Sequence, residues 1–224
     1  MSLPYISQQI TIYSGAIILF LGIIGNCLNI LIFTSVRTYR QNSCVLYFLN
    51  SSIFNFIYIS INLSTRILSI GFGIDPTRTS LIWCKIRSFC IPTFSQIIVC
   101  STCLATISQF ILTSRNARIR QLATTKSTYN IIFILNLFWI LHGILPLVFF
   151  KIISDTKICM YTDAGYAIYA QFYLLGLNNG IPVFILLVFT YLTYRNLHQT
   201  TFLAEHGIDR QLVRMVFFQV ALSL

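Results

Sequence analysis

The sequence predicts an all-α membrane protein, a single bundle over residues 1–224 whose helices cross a lipid bilayer. Two observations carry this. Five stretches contain no charged side chain, and each exceeds the ~20 residues that cover the hydrocarbon core at 1.5 Å per residue. Hydrophobic residues make up 56% of the 224 and charged residues only 9%, far below the roughly one quarter usual in soluble domains. Backbone polar groups in lipid must find partners within the protein, and these runs are too long and too evenly apolar for barrel strands, so each is read as a helix.

The first stretch runs from Met1 to Val36. Its start, Met1 to Gln9, has no basic residue and the apolar run is too long for a secretion leader, so it is expected to remain as a spanning helix. The others are Gln41 to Thr65, Ser88 to Ser114, Ser127 to Phe150 and Ala164 to Tyr194. After Arg214 the chain turns apolar again, from Met215 to Leu224, too few residues to span a bilayer. That segment reads as the start of a sixth helix, and the sequence as a fragment or a truncated gene product.

The net charge of +10 comes from cations dispersed among short connections, which argues against a nucleic-acid surface and for topology signals. Nine lie after the first, third and fifth stretches: Arg37, Arg40, Arg115, Arg118, Arg120, Lys126, Arg195, Arg210 and Arg214. Six lie on the other side: Arg66, Arg78, Lys85, Arg87, Lys151 and Lys157. The positive-inside rule therefore puts the nine in the cytoplasm and the amino end outside. Of seven cysteines, Cys84 and Cys159 fall on the outer side, where an oxidising compartment would let them pair or leave them as two free thiols.

Amides recur at membrane depth: Asn26, Asn29, Asn50, Asn55, Asn62, Gln96, Gln109, Asn136, Asn178 and Asn179. Such groups commonly tie helices together, at about 0.6–2 kcal/mol each. Pro92, Pro146 and Pro182 should bend the third, fourth and fifth helices, and Gly176 with Gly180 should form a close-packing face. None of the five acids, Asp75, Asp155, Asp163, Glu205 and Asp209, lies within a stretch, except that Asp163 borders the fifth. Proton-coupled carriers, pumps and membrane aspartyl proteases depend on such carboxylates. His142 stands alone in the fourth stretch and Cys100-Ser101-Thr102-Cys103 lacks a second ligand pair, so both are read as packing. No catalytic residue, metal site or cofactor is expected.

Several marks within the stretches, in order, resemble the rhodopsin-like (class A) G-protein-coupled receptors, and the resemblance covers the whole chain. Gly25-Asn26 is similar to that family's first-helix Gly-Asn. Leu49-Asn50-Ser51-Ser52-Ile53-Phe54-Asn55 resembles its Asn-Leu-Ala-x-x-Asp stretch, with Asn55 in place of the aspartate. Trp83 and Cys84 open the third helix, Cys159 stands as the disulfide partner, and Trp139 and Pro182 mark the fourth and fifth.

The resemblance implies a seven-helix bundle, here five complete helices and the start of a sixth, with Asn26, Asn55, Trp139 and Pro182 in its core. It implies a plasma-membrane receptor that binds an extracellular ligand and signals to a heterotrimeric G protein. The family's third-helix Asp-Arg-Tyr is replaced by Ser108-Gln109-Phe110, so the acid and the cation that serve resting state and coupling in the family are absent here. Gln109, Arg115, Arg118 and Arg120 are the candidate G-protein-facing residues.

Ile91 stands where amine receptors carry an aspartate, which argues against amine ligands. Arg66, Lys85 and Arg87 make the outer mouth basic, and Gln96, Tyr169, Tyr173 and Asn178 would line a cavity below, an arrangement suited to a peptide's carbonyls or an anionic group. The style is similar to invertebrate FMRFamide-like neuropeptide receptors. Snorkelling cations and an interfacial tyrosine belt would explain the same residues without a ligand. A helical-bundle carrier or channel and a nonfunctional receptor remnant are the alternatives. Against the carrier stand the missing intramembrane carboxylates and the absence of an internal repeat.

Overall fold

The computed structural model describes residues 3–114, 116–153 and 157–199, so Met215 to Leu224 lie outside the described residues. Five helical units are long and apolar enough to cross a membrane: Tyr5–Ser35, Ser43–Gly71, Leu81–Thr113, Thr125–Phe149 and Ala164–Asn196. These are the five spans read from the sequence, and the protein is a membrane-type helical bundle.

Helix starts follow local capping chemistry. The Asn42 side chain accepts from the Cys44 N–H, Ser80 Oγ from Trp83, Thr124 Oγ1 from Ser127, and Asp163 Oδ1 from Tyr166. Ser80 places the third helix start at Leu81, seven residues before the charge-free run. Lys85 and Arg87, counted in the sequence as loop cations, are therefore helical; long cationic side chains near a helix end can keep their heads at the interface.

The third span is the hub, packing against the second, fourth and fifth, while the first packs on the second. In its most apolar stretch the third span is half buried and the second nearly so, against about a tenth for the first and the fifth, so the outer helices leave most of their apolar surface for lipid or further protein. Glycines let the first and second spans approach: a β-carbon on Gly15 or Gly22 would stand 3.0 Å from Ile67 or Ile59.

Some of the expected amide ties are present, while Asn62 bonds Tyr58 and Asn179 the Leu174 carbonyl within their own spans. Asn50 and Asn136 exchange hydrogen bonds at 3.2 and 3.0 Å, and Asn50 Nδ2 also donates to Ser101 Oγ at 2.9 Å, joining second, third and fourth spans. Asn55 Nδ2 donates to Asn26 Oδ1 at 3.3 Å, joining second to first. Asn26 and Trp139 are buried, Asn55 is half-buried, and Pro182 is buried with its carbonyl accepting from Cys103 Sγ.

The prolines act unequally. The third helix runs through Pro92 without a break. The fourth stops at His142 and resumes as Ile144–Phe149 around Pro146. In the fifth, a π-helical stretch, Tyr173–Gly180, precedes Pro182, which has no N–H to close the preceding turn. The Gly176 and Gly180 pair does not form the expected packing face: a β-carbon on Gly176 would meet nothing within 4 Å, and one on Gly180 only the Leu175 carbonyl. The widened π turn has rotated these glycines off any helix interface.

One feature departs from all-α. β1 (Phe150–Ile152) and β2 (Cys159–Tyr161) form a small antiparallel hairpin, with Lys151 opposite Met160, between the fourth and fifth spans.

Candidate ligand cavity

Cys159, at the start of β2, is disulfide-bonded to Cys84 in the third helix, with Cα atoms 5.8 Å apart and a separation of 75 positions in sequence. Cys84 is fully buried. The bond closes a long loop and holds the hairpin across one end of the bundle, where it roofs a cavity of about 400 Å³. That is within the range of small-ligand sites.

The third span contributes Arg87, Ser88 and Ile91, the fourth His142 and Gly143, the hairpin Phe150, Cys159 and Tyr161, and the fifth Tyr166, Tyr169 and Tyr173. Gly143 is required by proximity: a β-carbon there would fall 2.2 Å from Thr93 Oγ1 and 2.7 Å from Phe89 Cε2, so only glycine lets the fourth span close on the third.

The wall is an aromatic cluster. His142 stacks on Tyr173 with ring centroids 5.3 Å apart and planes 13° from parallel, and its Nε2 hydrogen-bonds the Tyr169 hydroxyl. Tyr166 stacks on Phe149 at 4.6 Å and meets Tyr161 edge-on at 5.1 Å. Tyr173 also donates to the Pro92 carbonyl at 3.2 Å, which ties the wall to the third helix. Tyr173, Trp139 and Ile97 are buried together beneath the cavity. Offset-stacked and edge-to-face rings pack rigidly and present both apolar faces and polar tips.

Charge in the cavity is simple. Among the described lining residues Arg87 is the only Lys or Arg and there is no carboxylate. Arg87 has no hydrogen-bond or ion-pair partner among the described residues, and its Nε is buried without one. A second cavity of about 260 Å³ adjoins, sharing Asn62 and Arg87 and adding Arg66 and Asp75. Asp75 is already engaged: it accepts from Thr77 through backbone and side chain and pairs with Arg78 at 3.2 Å. Burial pushes its pKa up, but these hydrogen bonds, with one from Ser69, outweigh burial and hold the carboxyl below its ordinary value.

Of the residues expected to bind ligand, Arg87, Tyr169 and Tyr173 come together in this cavity. Arg66 lies apart, at the second cavity and at another between the first and second spans. Gln96 is 1% exposed and donates to the Leu177 carbonyl at 2.9 Å, while Asn178 accepts from Ser95 at 3.3 Å. Both join the third span to the π-helical stretch, whose loosened backbone offers the carbonyl that Gln96 takes. They are bundle ties and do not line the cavity.

His142, read from the sequence as packing, is part of the cavity wall, as are Tyr161 and Tyr166. The spacing Tyr166, Tyr169, Tyr173 puts all three on one helix face and was the available signal for Tyr166. His142 had none, because its role depends on where the fifth span sits.

At the opposite end, Arg118 and Arg120 lie exposed on the single turn Ala117–Arg120. Arg115 lies outside the described residues. Gln109, expected to face a partner, is buried with Ser108, because both share the helix face of Ser101 and Ala105 that packs into the bundle.

No protein-family model matches the chain, and no curated protein matches it.

Proposed function

We propose that the chain is a rhodopsin-like G-protein-coupled receptor of the plasma membrane, with its amino end and the hairpin outside. It binds an extracellular ligand, taken to be a peptide, in the roofed cavity and passes the signal to a heterotrimeric G protein. The observation that carries this is the pairing of Cys84 with Cys159, which roofs an aromatic cavity at one end of a five-span bundle. A disulfide of this kind persists in oxidising compartments, which favours an outward-facing cavity.

The ordered marks support the same class. Asn26 bonds Asn55 between the first two spans, Trp139 is buried under the cavity, and Pro182 follows a widened turn of the fifth span. A π-helical stretch beside a cavity is a frequent companion of function. Ligand in such a cavity would shift the bundle between two packings, and the exposed arginines Arg118 and Arg120 would meet the partner or the anionic leaflet.

The test is expression with a panel of G-protein reporters and a peptide library, with surface delivery confirmed. A ligand-dependent signal in one channel is expected. Silence in every channel, with the protein at the surface, would overturn signalling.

A further inference from the structure

We propose that the group entering the roofed cavity is an anion, a carboxylate or equivalent carried on an aromatic or apolar body, and that Arg87 receives it. The inference rests on the cavity being a ligand site, as proposed above, and adds the ligand's charge class.

The first ground is an unmet donor. The Nε of Arg87 is buried without a partner, and the guanidinium has no ion pair among the described residues. Arg87 is half-buried, with Nε the nitrogen that lacks both water and an acceptor, so an occupant that brings a carboxylate would satisfy it through charge-assisted bonds.

The second ground is the charge census. No described carboxylate lines the cavity, so a cationic group entering it would find repulsion from Arg87 and no counter-ion. Asp75, in the adjoining space, is held by Thr77 and Arg78 and does not neutralise Arg87.

The third ground is the aromatic wall of the same cavity. His142 stacked on Tyr173, and Tyr166 stacked on Phe149, offer ring faces and edges to an aromatic body while the anion meets Arg87.

The test uses the full chain in lipid nanodiscs and a matched pair of probes, N-acetyl-Phe-Phe as the free acid and as its amide, with inorganic phosphate as a bare anion. Binding is read from the fluorescence of Trp83 and Trp139. The acid is expected to bind at least about tenfold more tightly than the amide, and phosphate alone much more weakly than the acid. Arg87→Gln should abolish the preference and Arg87→Lys should restore part of it. Disulfide formation and thermal unfolding check that each variant folds, and the wild-type comparison stands without them.

Equal binding of acid and amide would overturn the anion preference while leaving the cavity a ligand site. Phosphate binding as tightly as the acid would overturn the aromatic part. An acid preference that survives in a folded Arg87→Gln variant would overturn the role of Arg87. If neither probe binds at millimolar concentration, the proposal of an anion on an aromatic body falls, while the ligand site itself stands or falls with the reporter panel.

Discussion

Gly143 and Thr93 meet so closely that a β-carbon on the glycine would stand 2.2 Å from the threonine Oγ1. This contact sets how far the broken fourth span closes on the third, and so the width of the cavity between them. Gly143→Ala should therefore destabilise the bundle by about 1–3 kcal/mol, the usual cost of overpacking. Gly176→Ala, where the added carbon meets nothing, should leave stability unchanged or slightly raised. Thermal unfolding of the two variants in nanodiscs compares them; equal behaviour would contradict the contact.

The disulfide should matter to stability and to the cavity together. Joining residues 75 apart contributes up to about 4 kcal/mol in the chain-entropy model. Cys84→Ser with Cys159→Ser should lower the unfolding temperature and expose the hairpin to proteolysis while the five spans persist by circular dichroism. An unchanged unfolding temperature and an equally resistant hairpin would refute its role as the fastening of the roof.

How much of this was legible in the sequence follows from the physics of each feature. Five spans are readable because lipid forbids charge over about 20 residues, and of the expected core residues Asn26, Trp139 and Pro182 are buried and Asn55 is half-buried. The charge-free run alone misses the first turns of the third helix, because Lys85 and Arg87 look like loop, although the resemblance opens that helix at Trp83 and Cys84, close to its start at Leu81. Gly176 and Gly180 were misjudged since the π turn before Pro182 rotates them away, whereas Gly143, isolated in the sequence, bears the tight contact. Helix spacing puts Tyr169 and Tyr173 in one cavity and span ends put Arg87 at its mouth, and the structure joins all three in the lining. Gln96 and Asn178 turned to the backbone and side chains of neighbouring helices, a choice that depends on tertiary register and leaves no local signal.

The Asn50 and Asn136 pair should be the strongest single polar tie in the bundle, since the two amides bond reciprocally and Asn50 also reaches Ser101. A double-mutant cycle with Asn50→Leu and Asn136→Leu should return a coupling of about 0.6–1.7 kcal/mol. A coupling within error of zero would contradict the reciprocal bond.

Asp75 supplies a pH dependence outside the membrane. Its folded pKa lies below the ordinary value, so the charged carboxylate stabilises the Asp75 turn at any pH above the unfolded value of about 3.9. That contribution fades as pH falls from there through the folded pKa. A carbon-13 titration of the aspartates should give Asp75 a midpoint below the ordinary value, and Thr77→Val should move it upward. A midpoint at or above the ordinary value would refute the Thr77 bonds as its cause.

If the roofed cavity opens to the outside of the cell, as proposed, a membrane-impermeant maleimide applied to intact cells distinguishes the two ends of the bundle. Lys157→Cys lies in the hairpin connection and Arg118→Cys on the exposed turn at the other end of the bundle. Lys157→Cys should be labelled on intact cells and Arg118→Cys only after permeabilisation. Labelling of Arg118→Cys on intact cells, with Lys157→Cys protected until the membrane is opened, would contradict it.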